Sequence, residues 1–127
     1  MKVPSALMDL HSYGQLLLYP WSARNKATDH IRMHRDTAQA MSQAISNLYG
    51  KNYTFGATYH MIYPATGALI DWAYHSGVLQ SFAIETRDIG AHGFLLPAQQ
   101  IETTGIELLA AARQLARGLD VVNKGRE

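Results

Sequence analysis

Between residues 29 and 49 the apolar side chains Ala38, Met41, Ala44, Ile45 and Leu48 recur three and four positions apart, which places them on one side of a helix. Thr28 or Asp29 can cap its first turn. Gly50 ends it, because glycine readily adopts the left-handed conformation that closes a helix. A second long helix is predicted from Pro97, with Ile101, Leu108, Leu109, Ala112, Leu115 and Ala116 as its buried face and Gly118 as its stop. Residues 119–127 are expected to fray beyond it.

Shorter apolar runs predict strands at 6–11 and 15–19, on either side of Gly14, both largely buried. In a third strand, at 78–85, alternation puts Leu79, Ser81, Ala83 and Glu85 on one face and Val78, Gln80, Phe82 and Ile84 on the other. A carboxylate therefore ends an apolar strand. Residues 51–65 have no helical period and read as a long loop containing a short strand, and 67–77 read as a short helix. No repeat or change of composition divides the chain, so it is one domain or part of one. Strands alternating with helices give the α/β class, with helices covering a mostly buried sheet. His11 and Glu85 both stand at strand ends, where such folds often carry chemistry.

Composition supports one core: of 127 residues, 47% are hydrophobic and 17% charged. Eleven Lys and Arg against ten Asp and Glu leave a formal charge of +1, and the basic residues are scattered. No field draws the chain to nucleic acid or to an anionic membrane. Without cysteine there is no disulfide, thiolate ligand or cysteine nucleophile. No apolar run approaches the ~18 residues of a membrane span, and the first residues, Met-Lys-Val-Pro-Ser, lack the apolar stretch of a signal peptide.

By position alone His11 reads first as a core histidine with its hydrogen bonds satisfied, and only then as a metal ligand or a general base. Glu85 reads as a base or as a carboxylate paired with Arg87. His30 and His34, four apart on a helix, share a face as zinc ligands do, but Ile31 stands where a metalloprotease helix carries its glutamate. His60, His75 and His92 are isolated and expected to face solvent.

The run His11-Ser12-Tyr13-Gly14-Gln15-Leu16-Leu17-Leu18-Tyr19-Pro20-Trp21 resembles the second zinc-ligand signature of the pancreatic-type (carboxypeptidase A/B-like) zinc carboxypeptidases. Three further blocks agree with it in order. Thr54-Phe55-Gly56 through Ile62-Tyr63-Pro64-Ala65-Thr66-Gly67 resembles the family's mobile loop, and Ile70-Asp71-Trp72-Ala73-Tyr74 the helix after it. Phe82-Ala83-Ile84-Glu85-Thr86-Arg87-Asp88, then Gly93-Phe94-Leu95-Leu96-Pro97, resembles the strand with the catalytic glutamate and the turn into the last helix. The resemblance runs from about Met8 to Ile101.

It implies the C-terminal half of a mixed-sheet zinc carboxypeptidase domain spanning residues 1–127. His11 matches the last of three zinc ligands, and Glu85 the general base that takes a proton from the metal-bound water. Tyr63 matches the tyrosine that closes over the bound peptide end, Tyr13 a cleft residue, and Phe94 an apolar contact to the penultimate side chain. Ile70 matches the base of the pocket for the C-terminal side chain, with Leu18, Ile62, Ala65 and Ala83 as its walls. An apolar base implies removal of apolar or aromatic C-terminal residues. The resemblance also implies cis peptides at Ser12–Tyr13, Pro20–Trp21 and Arg87–Asp88.

Two local departures stand out: one glycine precedes the Ile70–Asp71 pair where the family has two, and Ser22 replaces its usual glycine. The family's first two zinc ligands and its substrate-carboxylate ligands belong to the N-terminal half, which is absent from this sequence. The expectation is a truncated chain of a secreted enzyme, inactive alone, with peptide C-termini and the missing half as partners. The strand at 78–85 is expected to be an exposed edge open to self-association. The alternative is a non-catalytic remnant of the fold that binds peptides or a partner.

Overall fold

The computed structural model describes residues 3–124. Four strands, β1 (Ala6–Ser12), β2 (Leu16–Tyr19), β3 (Thr54–Ala57) and β4 (Gln80–Thr86), form one sheet in the order β1-β4-β2-β3. β4 runs parallel to β1 and antiparallel to β2, while β3 runs parallel to β2. The sheet is thus mixed, as the resemblance implied, with helices packed on it as the α/β reading expected. Ser12–Tyr13, Pro20–Trp21 and Arg87–Asp88 are cis.

Alternation gives the sheet two working faces. Phe82 and Ile84 on β4 and Leu17 and Tyr19 on β2 point into the main core, where α1 (Ile31–Tyr49) contributes Ala38, Met41 and Ile45. The long helix α4 (Ile101–Lys124) completes that core with Ala111 and Leu115. On the opposite face Leu18 and Ala83 pack with Ile70 of α3 (Leu69–His75) and Met61 of the short helix α2 (Thr58–Met61). Gly50 closes α1 at φ 67°, its N–H donating to the Ser46 carbonyl, as the sequence pattern implied.

Several expectations change. β4 is not an exposed edge: β1 and β2 cover it on both sides, and five of its seven residues are buried. The edges are β1 and β3. β1 is accordingly not the buried strand expected, because only one of its sides has a neighbour; its last three residues are exposed, Leu10 being 58% exposed. Leu48, assigned to the buried face of α1, is 43% exposed in its last turn. The loop at 51–65 holds α2 as well as its strand.

Helix α4 departs furthest from its apolar pattern. Ile101 and Leu109 are 72% and 51% exposed, Ala112 and Ala116 are also exposed, and between residues 101 and 119 the buried positions are Glu107, Ala111 and Leu115. Glu107 turns the helix, because its carboxylate takes two hydrogen bonds from Arg87 inside the protein. Gly118 does not stop the helix. It lies where α4 comes against Gln80 of β4 and Thr37 of α1: a Cβ there would stand 2.8 Å from Gln80 Nε2 and 3.0 Å from Thr37 Oγ1. Of the tail expected to fray, residues 119–124 continue α4, and 125–127 lie outside the described residues.

His34 is buried, with Nε2 2.9 Å from the Leu79 carbonyl and Nδ1 2.9 Å from the Thr28 hydroxyl. The carbonyl can only accept, so Nε2 carries the proton and Nδ1 accepts from Thr28: the ring is neutral. Burial lowers its pKa from 6.5 to about 4. His30 hydrogen-bonds Tyr74 through Nδ1 at 2.7 Å. These bonds, rather than a metal, explain the four-residue spacing of the two histidines.

Between pH 6.5 and about 4 the unfolded chain holds a proton on this histidine that the folded chain does not, so stability falls as pH drops through that window. The expected loss is about 3 kcal/mol by pH 4, measured by urea denaturation. His34→Gln should flatten that portion of the profile; equal slopes in the two proteins would contradict the assignment. The two glycines of α4 should also respond oppositely. Gly105→Ala, with open space around it, should stabilise by about 0.5–1 kcal/mol, whereas Gly118→Ala should lower the melting temperature despite the same gain in helix propensity.

Candidate functional site

Parallel pairing of β1 with β4 brings His11 opposite Glu85 and Asp9 opposite Ala83, and antiparallel pairing of β2 sets Leu16 opposite Glu85 and Leu18 opposite Ala83. Residues two apart on a strand share a face, so Asp9, His11, Ala83, Glu85, Leu16 and Leu18 lie on one side of the sheet. A cleft of about 340 Å³ opens over this surface. Asp9, His11 and Glu85 line it together with Leu18, Ile62, Ile70 and Ala83. Residues as far apart as His11 and Glu85 meet only because two strands distant in sequence are neighbours in the sheet.

Electrostatics couple the three polar groups. Asp9 Oδ2 is 3.0 Å from His11 Nε2, and that hydrogen bond is the main reason the His11 pKa is raised, with the Asp9 and Glu85 charges adding to it. Glu85 is half-buried. Burial raises its pKa, the His11 charge opposing and the Asp9 charge reinforcing the shift. Arg87 does not pair with Glu85, the alternative the sequence offered; its guanidinium donates two hydrogen bonds to Glu107.

The apolar part of the cleft is fixed from behind. Ile70 is buried at 3% exposure, and its carbonyl accepts a hydrogen bond from the Ser81 hydroxyl at 2.9 Å. The neighbouring Asp71 carboxylate accepts from the Ser22 N–H at 2.8 and 3.0 Å and from the Ala23 N–H at 3.0 Å. Ser22, at the position where the resemblance implied a glycine, lines the cleft with a buried hydroxyl that has no partner among the described residues.

The other residues singled out lie around this centre. Tyr63 is 65% exposed, and Ala65 is tied by its N–H to the Ser22 carbonyl at 3.0 Å. Tyr13 and Phe94 meet edge to face, their rings 4.9 Å apart. None of these four lines the cleft itself. His60, His75 and His92 are exposed. The residue missed in the sequence was Asp9: its place two before His11 on a strand was the available signal.

Among the described residues no group of three His, Cys, Asp or Glu side chains could hold a metal ion. His11 is a suitable ligand in kind, but the described residues do not complete the three-ligand set of a catalytic zinc site. No helix among them is long and apolar enough to cross a membrane.

The family model of the zinc carboxypeptidases matches residues 2–111. The chain is 42% identical over 112 residues to carboxypeptidase B of Canis lupus familiaris, covering 88% of this chain and 27% of that protein. It is 44% identical over 100 residues to carboxypeptidase A4 of Mus musculus, covering 79% of this chain and 24% of that protein. Its fold is similar to bovine thrombin-activatable fibrinolysis inhibitor in complex with tick carboxypeptidase inhibitor, with a TM-score of 0.90 and 32% identity over 94% of this chain and 40% of that one. The chain thus spans about a quarter of the length of the curated relatives it matches. On the match over residues 2–111, the chain belongs to the zinc carboxypeptidase family.

Proposed function

We propose that this chain is the C-terminal half of a zinc metallocarboxypeptidase domain that acts outside the cell and removes apolar or aromatic C-terminal residues from peptides. The observation that carries the reading is the single cleft shared by His11, Glu85 and the apolar base at Ile70. His11 supplies one metal ligand, and the part of the domain that this chain does not span supplies the rest. Glu85 is the general base: it stands at the end of β4, paired with His11 and half-buried in the same cleft.

Ile70, Leu18 and Ala83 form a pocket floor that offers no counter-charge, so a buried lysine or arginine side chain is disfavoured there. Ile62 extends its wall, and Ala65 stands behind it. Tyr63 stands on the exposed segment beside the cleft and closes over the bound peptide end, while Tyr13 and Phe94 contact residues further along the peptide. The free edge of β1 receives another strand, either from the remainder of the domain or from a second copy of this chain.

The isolated chain should not hydrolyse peptides and should hold zinc poorly, because one imidazole stands where catalytic sites supply three protein ligands. Tight stoichiometric zinc, with chelator-sensitive turnover in purified material, would contradict this.

Completion with the N-terminal part of a relative's catalytic domain, in cis or as a separate chain, should restore activity toward C-terminal Phe, Leu or Tyr over Lys or Arg. Ile70→Asp should reverse that order. Glu85→Gln should lower kcat at least about a hundredfold while leaving peptide affinity largely intact, since the amide keeps the shape but accepts no proton. A completed enzyme that prefers basic C-termini with Ile70 in place would overturn the pocket assignment, and full turnover by Glu85→Gln the catalytic one.

A further inference from the structure

Asp9 and His11 are two apart on β1, so their side chains leave the sheet on one face, and both line the cleft together with Glu85. Parallel pairing sets Asp9 against Ala83 and His11 against Glu85. The Thr86 hydroxyl donates to the His11 carbonyl at 3.0 Å, which ties the histidine backbone to β4 a second time. On that fixed backbone the imidazole and the carboxylate meet at one point, His11 Nε2 and Asp9 Oδ2, 3.0 Å apart.

An ionised carboxylate accepts hydrogen bonds and cannot donate one. In the singly protonated ring, the bond to Asp9 therefore requires the proton on Nε2, which leaves the lone pair on Nδ1. The opposite tautomer would set two acceptors against each other at 3.0 Å. The side chains are 51% and 27% exposed, so as an ion pair the contact adds little to stability. What it decides is which ring nitrogen holds the proton.

We propose that Asp9 is a positioning residue: it holds His11 in the Nε2–H form and keeps the Nδ1 lone pair free to ligate a metal. This rests on the metal role proposed above for His11. A ligating histidine needs a lone pair on one nitrogen, and an acceptor on the other nitrogen fixes the tautomer, orients the ring and raises its basicity. Asp9 supplies that acceptor from the same strand, so the ligand and its orienting group share one stretch of backbone.

The test reads the tautomer directly, from the nitrogen NMR shifts of the two His11 ring atoms in the full chain at about pH 9, where the ring carries a single proton. The Nε2–H form should exceed the Nδ1–H form at least tenfold. Asp9→Ala should lower that ratio at least twofold, toward that of a histidine in an unstructured peptide. Asp36→Ala, which removes an exposed carboxylate from α1, should leave it unchanged. A predominant Nδ1–H form, or the same ratio in the parent and Asp9→Ala, would overturn the inference. In the completed domain, Asp9→Ala should weaken zinc binding at least tenfold in a chelator-buffered titration, and unchanged affinity would overturn the role of Asp9 toward the metal. Zinc held equally well by His11→Ala would instead overturn the metal role of His11 and leave the tautomer ratios standing.

Discussion

The Arg87 guanidinium meets the Glu107 carboxylate inside the protein through hydrogen bonds of 2.8 and 2.6 Å, with the two side chains 6% and 1% exposed. Burial of two charges is tolerable only where their other hydrogen-bonding capacity is also used. Tyr53 donates to Glu107 Oε2, Gln100 Oε1 accepts from Arg87, and the Tyr49 ring lies 5.6 Å from the guanidinium. The pair joins the residue just after β4 to the second turn of α4. It thereby selects the face of α4 that meets the sheet, and about three turns further on it brings Gly118 against Gln80 and Thr37. Any longer side chain at that crossing meets the hydrogen bond that Gln80 donates to Thr37.

The same strand serves both halves of the molecule. Phe82 and Ile84 bind the sheet to α1 and α4, while Ala83 and Glu85, one step out of phase, face the cleft. The packing that stabilises the protein and the groups that line the cleft are therefore opposite sides of one backbone. β2 repeats the arrangement, with Leu17 and Tyr19 inward to the main core and Leu18 toward the cleft. Glu85 is held between His11 and Leu16 on the neighbouring strands, and Asp71 holds the segment around Ser22 against the helix that carries Ile70. The cleft owes its shape to pairing and hydrogen bonds on all its sides rather than to a single loop.

What was legible in the sequence follows from what each signal measures. The period of Ala38, Met41 and Ile45 reported α1 because its core face is apolar, and the alternation over 78–85 reported both faces of β4 because both are buried. Exposure of β1 was not legible, since whether a strand is an edge depends on neighbours that its own residues do not specify. Helix α4 misled for a definite reason: periodicity counts apolar residues, and its deepest position is a glutamate whose partner is twenty residues back. Helix α2 has four residues, too few for a period. The roles proposed for His11 and Glu85 rest on the family resemblance, and their adjacency comes from the parallel pairing of β1 with β4.

The claim that a buried charge pair, rather than an apolar stripe, sets α4 on the sheet is tested most directly by a double-mutant cycle. Stability would be measured by urea denaturation for Arg87→Met, Glu107→Leu and the two together. Each single change leaves one charge buried and alone, and the expected loss is about 3–5 kcal/mol, while the double variant should recover most of it. Single variants within about 0.5 kcal/mol of the parent, or losses that simply add in the double variant, would contradict the account.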